Sequence, residues 1–486
     1  MITVEEKIWE FAHKNANKIA LKSGKSVVTY QQLMKCIVSA KEHLSKLPNF
    51  YPGKTIILAA TKQIEFVFAY FGAHLAGLIV APLDSECNQE RLEHIINTIH
   101  PICIIGFSER NVACDMLQYG DVFDNDDNII LSTPLFPQET NIADILFTTG
   151  TTGTPKGVPL SHLNVAAAVR NINQYIQNKE DDVELLALPV SHSFGLGRLR
   201  CCLANGQTLI MLGNFVNTKK LFRVIEEEKV SGFSMVPASW KYIQKMTGDT
   251  ISHYASQIKY IEMGSAYFSE EDKNQLSLLL PKTKLIMHYG LTEASRSAFL
   301  DFHADKEYLS SVGKAAPYTD IQVFDNMGNL LPINTDGELC VKGEHVTSGY
   351  LNSSISTSFF GDAYFRTGDM GSIDSKGYIY LKSRIKELIN VGGKKVAPIE
   401  VEKRILCIPG VQDCACVGAQ DPDHVLGEVV KAYIVKDASV DMSIEDIQKA
   451  LYGTLENYKL PALVEWIQEI PRTANGKIQR NLLTDD

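Results

Sequence analysis

A chain of 486 residues is long for one compact domain, and 45% apolar against 21% charged residues exclude global disorder and leave enough material for a large core. A formal net charge of −10 excludes a protein that coats nucleic acid, but it does not exclude a local loop that cradles phosphate. The ten cysteines form no Cys-x-x-Cys pair and no cluster with histidine, so they read as reduced thiols and not as a metal site. The N-terminus has no basic start followed by an apolar run, and no apolar stretch approaches the roughly 18 residues of a membrane span, so a soluble, cytoplasmic protein is expected.

In chain order, residues 7–15 read as a helix, 54–60 as a buried strand, 66–75 as an apolar helix, and 77–83 and 101–106 as further strands. This alternation predicts a mostly parallel sheet covered by helices. The acidic stretch 121–128 reads as a surface loop. The α/β rhythm returns with expected strands at 184–189, 208–212 and 284–289. From about 313 to 381, short strands separated by Asn-Gly and Asp-Gly turns, such as 325–329 and 374–377, predict a small antiparallel barrel-like region. A smaller α+β segment follows. Pro398 opens an expected helix to Ile405, and Ser443 with Asp446 forms a capping pair for a helix carrying Ile447, Leu451 and Leu455.

The sharpest local signal runs from Thr148 to Gly157. An apolar strand ends at Phe147, and the next ten residues hold five threonines, three glycines and Lys156. Glycines let backbone amides turn toward an anion, hydroxyls add donors and the lysine adds charge, as a triphosphate requires. Pro155 before Lys156 and Gly157 after it exclude a Walker A loop.

Thr149-Gly150-Thr151-Thr152-Gly153-Thr154-Pro155-Lys156-Gly157 resembles the phosphate-loop signature of the adenylate-forming superfamily, which includes acyl-CoA synthetases, peptide-synthetase adenylation domains and beetle luciferases. The family usually has Ser at the position of Thr149, and both residues carry a hydroxyl. The resemblance extends along nearly the whole chain. It implies an α/β fold with a large N-terminal domain (1–385) of α/β subdomains and a small antiparallel barrel, followed by a mobile α+β domain (386–486). Thr148 belongs with the ATP-binding residues by the same resemblance.

His288-Tyr289-Gly290-Leu291-Thr292-Glu293 carries the family's Tyr-Gly-x-Thr-Glu motif. The resemblance implies that Tyr289 stacks on adenine, Thr292 contacts phosphate and Glu293 holds Mg²⁺. A single hard carboxylate suits that ion. Gly264-Ser265-Ala266 resembles the loop lining the adenine pocket, and Asp369 closes a segment whose aspartate holds ribose in relatives. Arg384 would contact ribose or phosphate, Lys386 stands at the hinge, and Gly392 and Gly393 would lie near the incoming thiol. Ser383 stands where relatives often have Gly. Lys477, in Thr473-Ala474-Asn475-Gly476-Lys477, matches the family's catalytic lysine.

The segment 189–195 resembles the segment that runs along the acyl pocket, with His192 in a catalytic or pocket position and Phe194, Val236 and Pro237 as further walls. Amino-acid-adenylating relatives carry Asp where Ser193 stands. A buried ammonium without its counter-charge is costly, so a non-amino carboxylic acid is expected. The implied reaction uses ATP, Mg²⁺ and CoA to make an acyl-adenylate and then a thioester. Two alternatives remain open: loading of a carrier protein's phosphopantetheine, and a non-catalytic nucleotide-binding scaffold. Neither nucleic acid nor a membrane span is expected among its partners.

Overall fold

The computed structural model describes residues 1–61, 63–125, 129–149, 155–352, 358–361, 363–422, 424, 426–437, 440–473 and 476–484. Backbone contacts divide the chain into one unit of residues 1–321 and 341–365 and a second of 322–340 and 366–486.

The first unit contains two sheets. Its strands in chain order are β1 (Ile19–Ser23), β2 (Ser26–Thr29), β3 (Thr55–Ala60), β4 (Ile79–Asp84), β5 (Ile104–Ile105), β6 (Met116–Leu117), β7 (Ile142–Thr149), β8 (Pro155–Ser161), β9 (Val183–Leu186), β10 (Thr208–Met211), β11 (Gly232–Met235), β12 (Tyr260–Met263), β13 (Lys284–Tyr289), β14 (Ala298–Asp301) and β15 (Lys314–Ala315). A nine-stranded sheet has the order β15-β14-β13-β12-β11-β9-β10-β1-β2, and a six-stranded sheet has the order β6-β5-β3-β4-β7-β8. Strands β13, β12, β11, β9 and β10 run parallel, as do β6, β5, β3, β4 and β7. Their intervening helices are α1 (Val4–Lys14), α2 (Tyr30–Leu44), α3 (Ile64–Leu75), α4 (Gln89–Ile99), α5 (His162–Ile176), α6 (Ser193–Ala204), α7 (Thr218–Glu227), α8 (Pro237–Thr247) and α9 (Glu270–Leu279).

Local chemistry explains these elements. Thr29 and Gln32 form a reciprocal capping box at the start of α2, and Ser161 and Asn164 do the same for α5. Every residue of α3 except Glu65 is buried, which is why its apolar run is nearly continuous. Gly72 lets α3 approach α2 closely, since a Cβ there would lie 2.5 Å from the Ala40 Cβ. The stretch read as a surface loop turns inward at Val122 and Phe123, and Phe123 packs edge-on against Phe68 at 5.1 Å. Its residues 126–128 lie outside the described residues.

A five-stranded sheet whose β18–β19 and β19–β20 pairs are antiparallel fits the barrel-like expectation, with β16 (Asp320–Phe324), β17 (Gly337–Lys342), β18 (Phe359–Phe360), β19 (Tyr364–Ile373) and β20 (Ile379–Arg384). Gly328 and Gly377 take positive φ in the two turns that the Asn-Gly and Asp-Gly patterns mark.

After β20 the second unit has β21 (Ile389–Val391) paired with β22 (Lys394–Val396), then α10 (Pro398–Ile405), β23 (Val411–Gln420), β24 (Glu428–Lys436), α11 (Ile444–Leu451) and β25 (Leu463–Trp466). The sheet β23-β24-β25 shares a core with α10 and α11. The capping box at Ser443 and Asp446 opens α11 as expected, but the helix ends at Leu451. Gly453 takes φ +76°, and Leu455 reaches the same core from beyond the helix. Among the described residues, no helix is long and apolar enough to cross a membrane.

Candidate active site

Strands β9, β11, β12 and β13 are neighbours in the parallel part of the nine-stranded sheet, and their carboxyl ends deliver four of the expected segments side by side. After β9 comes His192, half-buried at the N-cap of α6, and then the buried Phe194. After β11 come Val236 and Pro237, both buried at the start of α8. After β12 comes Gly264-Ser265-Ala266, and β13 ends in His288-Tyr289, followed by Gly290. The carboxyl edge of a parallel sheet is where open α/β folds bind ligands.

The adenine-loop segment and the β13 end are locked together. A Cβ on Gly264 would lie 2.1 Å from the His288 ring, so only glycine permits this approach. His288 Nδ1 faces Glu262 Oε1 at 2.7 Å, and its ring meets Phe194 edge-on at 4.6 Å. Burial pushes the His288 imidazole down against the pull of Glu262. Ser265 and Arg296 both sit at positive φ, +74° and +56°. Such strain in non-glycine residues persists only where surrounding structure fixes it. Gly290 is also required, because a Cβ there would come 2.4 Å from the Arg296 nitrogen.

Arg296, which lies close in sequence to the pocket segments, has its guanidinium engaged inside the protein. It donates to Glu262 Oε1 at 3.1 Å, to the Ser193 and Phe194 carbonyls at 2.9 Å each and to Ser295 Oγ at 3.0 Å. Behind it, Arg198 donates to both carboxylate oxygens of Glu184, at 2.7 and 2.5 Å. All four of these charged residues are buried. Glu262 stays well below the usual carboxylate range because Arg296, His288 and Arg198 outweigh the effect of its burial.

The phosphate-loop residues Gly150, Thr151, Thr152, Gly153 and Thr154 lie outside the described residues. Their stems are described, and they correct the sequence reading. Pro155–Ser161 is a strand, β8, which pairs antiparallel with β7 from Thr149↔Pro155 to Asp144↔Leu160. Thr148 stands opposite Lys156 in this hairpin, and Lys156 is exposed.

Segment 346–351 joins the hairpin to the motif after β13. Leu351 donates to the Gly157 carbonyl at 2.9 Å, and Thr347 donates to the Glu293 carbonyl at 2.8 Å. Tyr350 donates its hydroxyl to Glu293 Oε1 at 2.7 Å, and its ring lies 5.3 Å from Lys156 Nζ. Thr292 is half-buried and Glu293 buried. One buried carboxylate, held by a hydroxyl and linked to the hairpin, is a donor set that fits Mg²⁺, which usually takes one or two protein carboxylates and completes its shell with phosphates and water.

The other expected residues belong to the second unit. Asp369 and Arg384 are register partners on β19 and β20, with Arg384 Nε 2.7 Å from Asp369 Oδ1. Lys386 is exposed in a one-turn 3₁₀ segment, Ile385–Glu387. Gly392 and Gly393, at φ +56° and +82°, make the two-residue turn between β21 and β22, the geometry that a right-handed hairpin prefers. Lys477 is exposed. Its backbone exchanges hydrogen bonds with Thr473, and the Arg472–Ile478 bridge closes the turn.

The model of the AMP-binding enzyme family matches residues 8–351, and that of the AMP-binding enzyme C-terminal domain matches residues 400–477. An oxalate–CoA ligase of Arabidopsis thaliana is 28% identical to the chain over 95% of its length and 94% of the relative. The solved structure of ATP-bound MatB from Rhodopseudomonas palustris superposes with a TM-score of 0.89 at 24% identity, covering 99% of this chain and 98% of the other. O-succinylbenzoate coenzyme A synthetase (MenE) of Bacillus subtilis, in complex with ATP and magnesium ion, gives 0.86 at 24% identity over 98% of both chains. The chain belongs to the AMP-binding enzyme family. It is an AMP-forming acid–thiol ligase, an adenylate-forming CoA ligase.

Proposed function

We propose that the enzyme activates a non-amino carboxylic acid and that the residues assigned by resemblance carry out its two half-reactions. The observation that carries this reading is the convergence of His192, Phe194, Val236, Gly264, His288 and Tyr289 on adjacent carboxyl ends in the parallel part of one sheet. Ser193 supplies no counter-charge for an ammonium, and the nearby carboxylate of Glu262 is already occupied by Arg296 and His288. A free α-amino group there would be buried unpaired.

In the first half-reaction the acid's carboxylate oxygen attacks the α-phosphorus of ATP, the bond to the bridging oxygen breaks, and pyrophosphate leaves. Two anions must approach each other, so opposing charge is the main catalytic requirement. Thr148, Thr149, Lys156 and the loop 150–154 hold the phosphates, Thr292 adds a hydroxyl, and Tyr289 with the 264–266 loop holds adenine. Glu293 would hold Mg²⁺, which neutralises phosphate charge when bound. Lys477 balances charge on the carboxylate and α-phosphate, Asp369 holds ribose, and Arg384 contacts ribose or phosphate. In the second half-reaction the thiol attacks the acyl carbon and AMP leaves, with the exposed Gly392-Gly393 turn as the thiol-side face. Lys386 is the hinge between an adenylating part (1–385) and a mobile part (386–486), so that Lys477 serves the first step and the glycine turn the second.

The test is acid-dependent ATP–pyrophosphate exchange over a panel of fatty, aryl, short-chain, hydroxy and amino acids, each active acid then being offered CoA or phosphopantetheinylated carrier protein. Exchange with a non-amino acid and AMP release on adding CoA are expected. Lys477→Ala is expected to lower exchange by at least 100-fold. Loss of thioester formation alone would overturn the role of Lys477, and release only with carrier protein would reassign the acceptor.

A further inference from the structure

Below the phosphate hairpin, five elements of the first unit bring six polar side chains together. They are Glu5 on α1, Tyr70 and His74 on α3, Asp144 on β7, His162 at the first position of α5 and Arg200 on α6. None is more than 5% exposed. His74 Nδ1 lies 2.7 Å from Glu5 Oε1, and its Nε2 lies 3.7 Å from Asp144 Oδ1. His162 Nδ1 lies 3.5 Å from Glu5 Oε2, with the two imidazole rings edge to face at 4.9 Å. Asp144 Oδ2 accepts from Tyr70 Oη at 3.1 Å and from Arg200 Nη2 at 2.5 Å.

A divalent metal is one occupant to consider, because one ligand atom each of Glu5, His74 and His162 lies within 4.8 Å of the others. The 2.7 Å separation is a hydrogen bond, however, whereas two ligands around tetrahedral zinc stand about 3.3 Å apart at bond lengths of about 2.0–2.1 Å. Glu5 and Asp144 contribute two negative charges, and Arg200 and an imidazolium at His74 contribute two positive ones. Burial opposes charge on His74, but Asp144 and Glu5 outweigh it and raise the group from its ordinary value to about 9.

Two of the six groups sit where the hairpin is rooted. Asp144 lies on the strand that enters it, five residues or about 17 Å from Thr149, and His162 starts the helix that leaves it. We propose that His74 is a positioning residue for nucleotide binding: by bridging Glu5 and Asp144 it ties both roots of the phosphate hairpin to α1 and α3. The inference rests on the reading that this hairpin holds the phosphates of ATP.

The sign of the pH effect follows from the raised value. The imidazolium's contribution is complete below about pH 6.5 and is lost as pH rises through about 9, when the four groups carry a net negative charge in a buried box. Groups facing His74 are Glu5 from α1, Tyr70 from its own helix, Asp144 from β7 and His162 from α5, with Arg200 from α6 one contact further, on Tyr70 and Asp144.

The experiment measures KM for ATP and for the acid from pH 6 to 10 in wild type, His74→Gln and His74→Gln/Asp144→Asn, with Lys156→Ala alongside and zinc content determined on purified wild type. Wild-type KM for ATP should rise about tenfold above pH 9 while KM for the acid stays within twofold. His74→Gln should have the raised KM for ATP already at pH 7 and a flat profile, and the double variant, which restores charge balance, should recover at least threefold. A His74→Gln enzyme with lowered melting temperature but wild-type KM for ATP and wild-type profile would show a merely structural role and overturn the proposal. If His74→Gln does not fold, the wild-type profile and the double variant decide. Stoichiometric zinc in the wild-type protein would also overturn it. An unmoved KM for ATP in Lys156→Ala would refute the phosphate reading and the inference together, whereas a response in Lys156→Ala with none in His74→Gln refutes the inference alone.

Discussion

Tyr350 stands 57 residues from Glu293 in sequence, yet its hydroxyl holds the carboxylate that would carry Mg²⁺, and its ring faces Lys156. A hydrogen bond to a charged group contributes about 1.5–3 kcal/mol. Removing it frees one carboxylate oxygen to reorient and costs preorganisation of the metal-binding oxygens. Tyr350→Phe should therefore raise the Mg²⁺ concentration for half-maximal pyrophosphate exchange by about tenfold, with the melting temperature changed by only a few degrees. An unchanged Mg²⁺ requirement would mean that Glu293 is positioned by its backbone alone. Glu293 was legible in the sequence because its motif is contiguous. Tyr350 was not, and neither were the partners of Arg296, because each acts on a distant segment that only the packed sheet brings near. The positive φ of Arg296, which marks it in the structure, leaves no trace in residue type.

At the scale of elements, strand β13 and helix α10 fall where the sequence places them, since each has one unambiguous signal: an apolar run with a sharp end, and a proline at the first helical position. Strand β8 was read as part of the loop. Its Pro155, Gly157 and Pro159 are poor strand formers, but β8 lies at the edge of its sheet, where proline can stand without breaking the ladder. Such a position is a property of topology, not of local sequence. The β21–β22 hairpin turns on the Gly392-Gly393 pair, with both residues at positive φ. A side chain at that backbone conformation costs about 1–2 kcal/mol. Gly393→Ala should slow thioester formation about tenfold and leave pyrophosphate exchange within twofold of wild type, if the turn serves the thiol step. Equal slowing of both steps would remove that assignment.

At the scale of the whole chain, the family models cover 8–351 and 400–477 and leave the segment containing Lys386 between them. By contacts, β19 from Arg366 onward and β20 already belong with the C-terminal residues. A compact unit by contact density and a unit that moves in catalysis are different quantities, because a sheet can stay whole while rotation is confined to one linker residue. Lys386 is exposed, its side chain builds no core, and its 3₁₀ turn connects β20 to β21. If the enzyme alternates between its half-reactions by rotation at this residue, fixing φ there should separate the two activities. Proline locks φ near −65° and disfavours helical conformations in the residue before it. Lys386→Pro is therefore expected to keep acid-dependent pyrophosphate exchange within threefold of wild type and to lower the rate of acyl transfer from preformed acyl-adenylate to CoA by 100-fold or more. Single-turnover measurement of each step checks this. A variant in which both steps fall together would place the moving element elsewhere, and one in which neither falls would show that the two half-reactions share one arrangement of the chain.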